Sequence, residues 1–492
     1  MFLTRKPSTR KTPMPTEPEA DHPPDLVHGH QPAWRLVLRL AWPALIQQFL
    51  ILSVGLYDQF LAGNNEPDDP SKHIGYQAAQ TTANYIAWSI SSCTALVSVG
   101  GIALVARFVG AGDEAAANKT TNQSILLAIL IGVVMTPVFL TILPGGVRLL
   151  GLHDETAEGA VRFLQPIIAL LTCQLVTQAG ISCLIGAGDR RTGPIVLSGV
   201  ALLNIPLAWA CFHGFGPIPE LGFFGIGMGT ALSHTAGCVA VLVVLGRGRY
   251  GLRIRLPLLA PDFSLIYRLL RLGIPASVDT LSIAVCQLWF LTLVTALGDV
   301  AAAAHGTAIR WESLGYMSGY AFATAAAALV GQNLGARQPR QAAHVAWVAL
   351  GMGCATMSFM GAMFFAFAPD MFRLFSPHEH QQPIVDAGVP ILRLVAFAMP
   401  PLSCIIIFTG VLRGAGDARF PILLTWIGFL VIRMPLAFLL TRSTVDLGPL
   451  GSVPGWDLGL FGAWLAMFAD LLVRGVLFLI RFISGKWKTV KV

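Results

Sequence analysis

From residue 35 onward, apolar positions run in long uninterrupted blocks, each separated from the next by a short polar, glycine-bearing or charged stretch. The blocks fall at 35–63, 77–108, 115–143, 158–185, 192–213, 222–246, 264–297, 301–332, 339–367, 386–412, 420–441 and 457–483. A helix needs about 20 residues to cross the hydrocarbon of a bilayer, and every block reaches that length or exceeds it. Strands of a membrane barrel would alternate apolar and polar positions over about ten residues, which these blocks do not do. The pattern predicts an all-α integral membrane protein with twelve transmembrane helices.

Residues 1–34 read differently. They are rich in Pro, Thr, Glu and His, hold no apolar core of signal-peptide length, and predict a polar, flexible cytoplasmic tail. With that tail inside, twenty-four Lys and Arg fall on the inner side. The outer loops hold Lys72, Arg148, Arg373 and Arg442. Insertion avoids translocating positive charge, so the expectation is a multi-pass protein of the cytoplasmic (inner) membrane with both termini cytoplasmic. Arg247, Arg249, Arg253, Arg255, Arg268 and Arg271 cluster where blocks six and seven meet. The expected division is an N-terminal six-helix bundle at 35–246, a basic cytoplasmic linker at 247–263, a C-terminal six-helix bundle at 264–483 and a basic tail at 484–492.

The two halves repeat each other. Ala106-Arg107-Phe108-Val109-Gly110-Ala111-Gly112 corresponds to Gly331-Gln332-Asn333-Leu334-Gly335-Ala336-Arg337. Ile185-Gly186-Ala187-Gly188-Asp189-Arg190 corresponds to Arg413-Gly414-Ala415-Gly416-Asp417-Ala418, and Leu221-Gly222-Phe223-Phe224-Gly225 to Leu458-Gly459-Leu460-Phe461-Gly462. Each half has an even number of spans, so both enter the membrane from the same side and form two pseudo-symmetric bundles around a central cleft. Parallel repeats of this kind belong to secondary transporters that rock one bundle against the other.

Composition narrows the classes further. Charged residues make up 12% of the chain against 54% hydrophobic, where a soluble domain carries about 25% charged residues. The net charge of +7 is absorbed by the inner loops, so no nucleic-acid partner is implied. The eight cysteines lie in apolar runs without a Cys-x-x-Cys pair, which argues against a metal cluster or disulfide framework. No phosphate-binding loop, His-Glu-x-x-His or Gly-x-Ser-x-Gly occurs, so neither an enzyme nor a bound cofactor is expected. His378 and His380 flank Glu379 in an outer loop and read as solvated residues.

Several motifs together resemble the multidrug and toxic compound extrusion (MATE) family. They are Tyr57-Asp58-Gln59-Phe60-Leu61-Ala62-Gly63, Val330-Gly331-Gln332-Asn333-Leu334-Gly335-Ala336 and Leu412-Arg413-Gly414-Ala415-Gly416-Asp417. Asn204-Ile205-Pro206-Leu207-Ala208-Trp209 followed by Gly222-Phe223-Phe224-Gly225-Ile226-Gly227 is most similar to the NorM-like branch. The resemblance implies a twelve-helix antiporter that expels organic, often cationic compounds in exchange for sodium ions or protons. The partners it implies are a small organic substrate, a coupling cation and membrane lipids, with a monomeric chain. A flippase of lipid-linked or amphiphilic cargo on a related fold is the alternative; it would need several cleft cations for phosphate, where Arg310 and Arg433 are the candidates.

Charge inside hydrocarbon is costly, so each intramembrane ionisable residue calls for a partner, water or a transport role. By the resemblance, Asp58 falls on the acidic position of the family's first-helix motif, which is implicated in ion coupling. Asn204 matches a position near it, and Asn84 on span two is grouped with them. The family's acidic pair on spans seven and ten does not carry over, because alignment puts Ile283 and Leu402 there. One turn before Ile283, Asp279 shares a helix face with Ile283 and Gln287. Arg310 and Glu312 are two residues apart and face different ways, and Arg433 is the repeat equivalent of Asn204. We expect Asp279, Arg310, Glu312 and Arg433 to form a charge-balanced network in the second bundle, serving either transport or helix fastening. Asp470 and Arg474 have the spacing of a helical ion pair.

Overall fold

A computed structural model of the chain describes residues 32–63, 70–149, 154–217, 219–376, 378–446 and 452–490. The expected N-terminal tail lies almost wholly outside them. The described residues are dominated by helices: α1 (Ala33–Gly63), α2 (Pro70–Gly110), α3 (Glu114–Leu149), α4 (Asp154–Ala169), α5 (Leu171–Gly186), α6 (Thr192–His213) and α7 (Phe223–Arg247) in the first half. The second half holds α8 (Phe263–Thr295), α9 (Asp299–Gly335), α10 (Pro339–Phe375), α11 (Gln382–Ala415), α12 (Arg419–Trp426), α13 (Met434–Thr441) and α14 (Gly459–Ile483). A small hairpin of β1 (Thr444–Asp446) and β2 (Ser452–Pro454) precedes α14.

Eleven helical spans among the described residues are long and apolar enough to cross a membrane, and counting α4 with α5 as one bent span makes twelve. That pair bends by 52°, where the sequence predicts one continuous helix over 158–185. The bend follows Pro166, which supplies no backbone donor, and centres on Leu170 in a non-helical conformation (φ −103°, ψ 18°). Span eleven also departs from regular helix: α12 and α13 are joined by a π-helical stretch, Ile427–Arg433. Extra residues in a turn rotate everything beyond them, and here they direct Arg433 toward α14.

Buried side chains form two main hydrophobic clusters, one within each half. The division is not strictly at the linker. Leu36, Val37, Leu40 and Ala41 of α1 belong to the second half's core, while Leu269 and Leu272 of α8 belong to the first. The linker itself is stitched to α3. Asn118 Oδ1 accepts from the Arg253 amide (2.7 Å), Asn122 Nδ2 donates to the Arg253 carbonyl (2.9 Å), and Asn122 Oδ1 accepts from the Arg255 amide (3.0 Å). Gln123 Nε2 donates to the Leu258 and Ala260 carbonyls at 2.7 Å each. Lys119 donates to Asp262 at 2.5 Å, and Asp262 caps α8 through the Ser264 and Leu265 amides. That lysine, then the Leu265 amide, hold the Asp262 carboxyl below the usual carboxylate range.

The sequence repeat reappears as repeated backbone geometry. Gly188 and Gly416 both adopt left-handed φ (94° and 91°). This lets the Asp189 and Asp417 amides close back onto the Leu184 and Leu412 carbonyls, a helix-ending turn that favours glycine. Each aspartate then pins an arginine at the end of its own half, Asp189 to Arg249 (3.0 Å) and Asp417 to Arg481 (2.5 Å). These Gly-Ala-Gly-Asp turns are therefore helix connections.

Candidate functional site

Where the halves meet, small residues let backbones touch. A Cβ at Gly100 would lie 2.7 Å from the Leu269 carbonyl oxygen. One at Gly273 would collide with the Leu96 carbonyl, at Gly110 with Gln332, and at Gly335 with Arg107. The Gln332 side chain crosses the junction and donates to the Gly186 carbonyl at 2.9 Å. These contacts join α2 and α5 to α8 and α9. They cluster at the end that carries the Gly-Ala-Gly-Asp turns and the basic loops.

In the first bundle α6 packs against both α1 and α7. Gly225 and Gly229 on α7 approach the backbone at Cys211 and Ala208 of α6 too closely for any side chain, so the Gly-x-x-x-Gly spacing serves helix contact. Asp58 is 7% exposed on α1, and its Oδ1 has no hydrogen-bond partner among the described residues. Asn204 is 2% exposed on α6; its Nδ2 donates to Thr230 Oγ1 on α7 (2.9 Å), which fixes the amide and leaves Oδ1 as a buried acceptor without a donor among the described residues. Two residues on, Pro206 withholds a donor from the α6 ladder. Thr230 is a partner that the sequence reading missed; a hydroxyl one residue after the second glycine of the helix-packing motif was its signal. The side chain of Asn84 on α2 lies outside the described residues.

In the second bundle the expected four-residue network does not form. Asp279 is buried on α8 but pairs with Arg413 of α11 at 2.7 Å, leaving Asp279 Oδ1 and Arg413 Nε without partners among the described residues. Arg310 is exposed on α9, with its guanidinium 5.9 Å from the Phe375 ring centre, because the i, i+2 spacing that turns it away from Glu312 turns it out of the core. Gln287 is half-buried two turns beyond Asp279.

Arg433 instead joins Asp470 (2.7 Å), which also takes Arg474 (2.6 Å), all three being at most 4% exposed. The Asp470–Arg474 pair is the one expected from helical spacing. Both guanidiniums also contact the Phe429 ring, Arg433 at 4.7 Å and Arg474 at 4.6 Å from its centre. A side chain at Gly428 would strike Asp470, so the π-helical turn needs glycine there. Glu312 is buried, with Arg433 as a charged neighbour. Asp470 thus holds two guanidiniums, Arg433 and Arg474.

Comparison with known proteins gives this arrangement a family. The MatE family model matches the chain twice, at residues 43–210 and 275–439. The probable multidrug resistance protein NorM of Thermotoga maritima is 27% identical over 92% of this chain and 92% of its own length. The multidrug resistance protein NorM of Vibrio cholerae is 25% identical over 90% of this chain and 95% of its own length. A multidrug resistance MATE family transporter solved in an outward-facing conformation superposes with a TM-score of 0.81 at 21% identity, covering 93% of this chain and 97% of that one. A MOP superfamily transporter from Pyrococcus furiosus gives 0.82 at the same identity, over 93% and 97%.

Proposed function

The chain belongs to the MatE family, and on that premise we propose that it is a secondary antiporter of the inner membrane. It exports amphiphilic, cationic organic compounds in exchange for protons or sodium ions by alternating access. The relatives named for multidrug resistance support drug export over the transfer of lipid-linked cargo. The basic end, where the bundles touch through glycine, is the cytoplasmic end in this reading, and the described arrangement is the outward-facing state.

The observation that carries the proposal is the pair of buried oxygens, Asp58 Oδ1 and Asn204 Oδ1, that have no partner among the described residues and stand on two helices that pack together. A buried acceptor without a donor is costly, and a proton or small hard cation is what satisfies it. Ion arrival neutralises Asp58 and removes the need for hydration, which favours a tighter first bundle. A bundle that tightens with the ion and loosens without it changes its fit to the other across the glycine contacts. Ion binding and substrate release are thereby linked through one equilibrium, with Asp58 as the coupling residue and no covalent chemistry involved.

The test is dye export from cells producing the chain or its Asp58→Asn variant. The variant keeps the size of the side chain but removes the charge that a cation neutralises. Wild-type cells are expected to extrude a fluorescent organic cation, and the variant to lose at least ~90% of that rate while inserting normally, an order-of-magnitude loss for an essential coupling group. Full export by the variant removes Asp58 from the mechanism.

A further inference from the structure

We propose that a cavity at the basic end of the molecule is a binding site for a phosphate-class anion, and that its occupant holds the two bundles together there. The cavity measures about 110 Å³, and its walls come from separate parts of the chain. Arg268 and Arg271 stand on the first turns of α8, Asp417 on the turn between α11 and α12, Arg419 at the start of α12, and Val490 near the end of the chain.

Among the described residues, two of its arginines, Arg271 and Arg419, are not offset by the acidic lining. Asp417 is the acidic lining residue, and Arg481 already takes it at 2.5 Å. Among the described residues no carboxylate pairs with Arg271 or Arg419, and both are exposed enough to turn toward the opening. Arg107 of α2 lies close enough for its charge to oppose that of Arg268. Arg271 and Arg419 are like charges on one cavity wall and repel until an anion joins them, and arginine's planar fork matches phosphate oxygens in pairs.

The cavity also sits where an occupant matters. Ala418, beside Asp417 in the lining turn, is packed into the first bundle's core cluster, although its turn belongs to the second half. Val490 is held in place by the chain before it. Trp487 is fully buried, its indole donates to the Phe482 carbonyl (2.9 Å), and its ring stacks on Phe482 at 5.2 Å. From that anchor the Val490 carbonyl accepts from Arg107 Nη1 at 2.9 Å, which ties the end of the second half to α2 of the first. An anion bridging Arg271 and Arg419 beneath this strap strengthens the same junction. The general preference for basic inner loops explains why arginines occur at this end, but not why they converge on one cavity.

Two sources offer the required chemistry, the headgroup of an anionic inner-leaflet phospholipid and free inorganic phosphate. Naming the inner leaflet rests on the orientation proposed above, whereas anion binding itself does not. The experiment follows thermal unfolding of the purified full chain in neutral, phosphate-free detergent. Additions are inorganic phosphate, phosphatidylglycerol or phosphatidylcholine. Either anionic addition is expected to raise the midpoint by about 2 °C, with phosphatidylcholine giving no shift. A shift with phosphatidylglycerol alone identifies a headgroup site, and one with phosphate as well identifies a phosphate site. The double variant Arg271→Gln/Arg419→Gln is expected to lose the shift. Arg247→Gln/Arg255→Gln, which removes the same charge from the linker outside the cavity, keeps it. No shift in the wild type, or an equal shift in the Arg271/Arg419 variant, overturns the proposal. If the shift behaves as expected while the same protein fails to export in liposomes, the export reading falls and this one stands.

Discussion

Replacing Gly100 by alanine puts a methyl group where α2 crosses α8. The new Cβ would lie 2.7 Å from the Leu269 carbonyl oxygen and 3.1 Å from its Cα, both backbone atoms that no rotamer change can move. Reaching ordinary contact at 3.4 Å requires the helices to part by about 0.7 Å. Overpacking of this kind costs about 1–3 kcal/mol. The cost falls on the state in which the basic end is closed and is absent once α2 and α8 separate. The balance between the two states therefore moves about 5- to 150-fold toward opening at that end. Spin labels at Arg191→Cys and Gln341→Cys, exposed positions at that end of α6 and α10, report the change as a distance distribution in liposomes, measured in a background lacking the native cysteines. Wild type is expected to show mainly the short distance, and Gly100→Ala to gain a longer one. Gly199→Ala is the control, because nothing lies within 4 Å of a Cβ there. An unchanged distribution in folded Gly100→Ala, or an equal shift in Gly199→Ala, refutes the glycine seal.

Four further outcomes are expected. Asp470→Asn strands two buried guanidiniums and should destabilise the protein by about 3–5 kcal/mol, read as lost yield and a lower unfolding midpoint. Asp279→Asn, whose partner Arg413 is 20% exposed and can reach water, should cost less stability and show its larger effect in transport rate. Asn122→Ala removes two hydrogen bonds from the linker, worth about 1–3 kcal/mol together, and should speed tryptic cleavage at Arg253 and Arg255 severalfold. The Asp262 cap titrates in acid: its carboxyl is held below the ordinary value of about 4, so its stabilisation is complete above that value and lost as pH falls through the depressed one. Hydrogen exchange at the Ser264 and Leu265 amides should therefore keep constant protection from about pH 5 to 8 and weaken in stronger acid.

The membrane helices were legible because hydrocarbon imposes a length and an apolar character that survive in the bare sequence. The repeat was legible because its glycines do the same backbone work twice, as Gly188 and Gly416 show in their matching φ. What composition hid was interruption. Pro166 lies within an apolar run that looks continuous, yet α4 and α5 meet at 52°. The π-helical turn over Ile427–Arg433 leaves no trace in the pattern either, and it decides that Arg433 faces Asp470.

Burial was easier to anticipate than pairing. Asp58, Asn204, Asp279, Glu312 and Arg433 are all buried, as polar residues within apolar runs tend to be when functional or paired. Pairing across more than a hundred residues is a tertiary property. Arg413 falls just past the apolar block that ends at residue 412, but it lies inside α11, and its long side chain reaches Asp279, 134 residues away in sequence. Arg310 was assigned to the network by its charge, whereas its helix face carries it outward.

The most direct test of ion-coupled export reconstitutes the purified chain in liposomes and follows a fluorescent organic cation while sodium and proton gradients are imposed one at a time. Uphill movement of the dye is expected under at least one gradient, stopping when that gradient is collapsed and absent in Asp58→Asn. Dye that only equilibrates, at a rate indifferent to both gradients and to Asp58, would contradict the account.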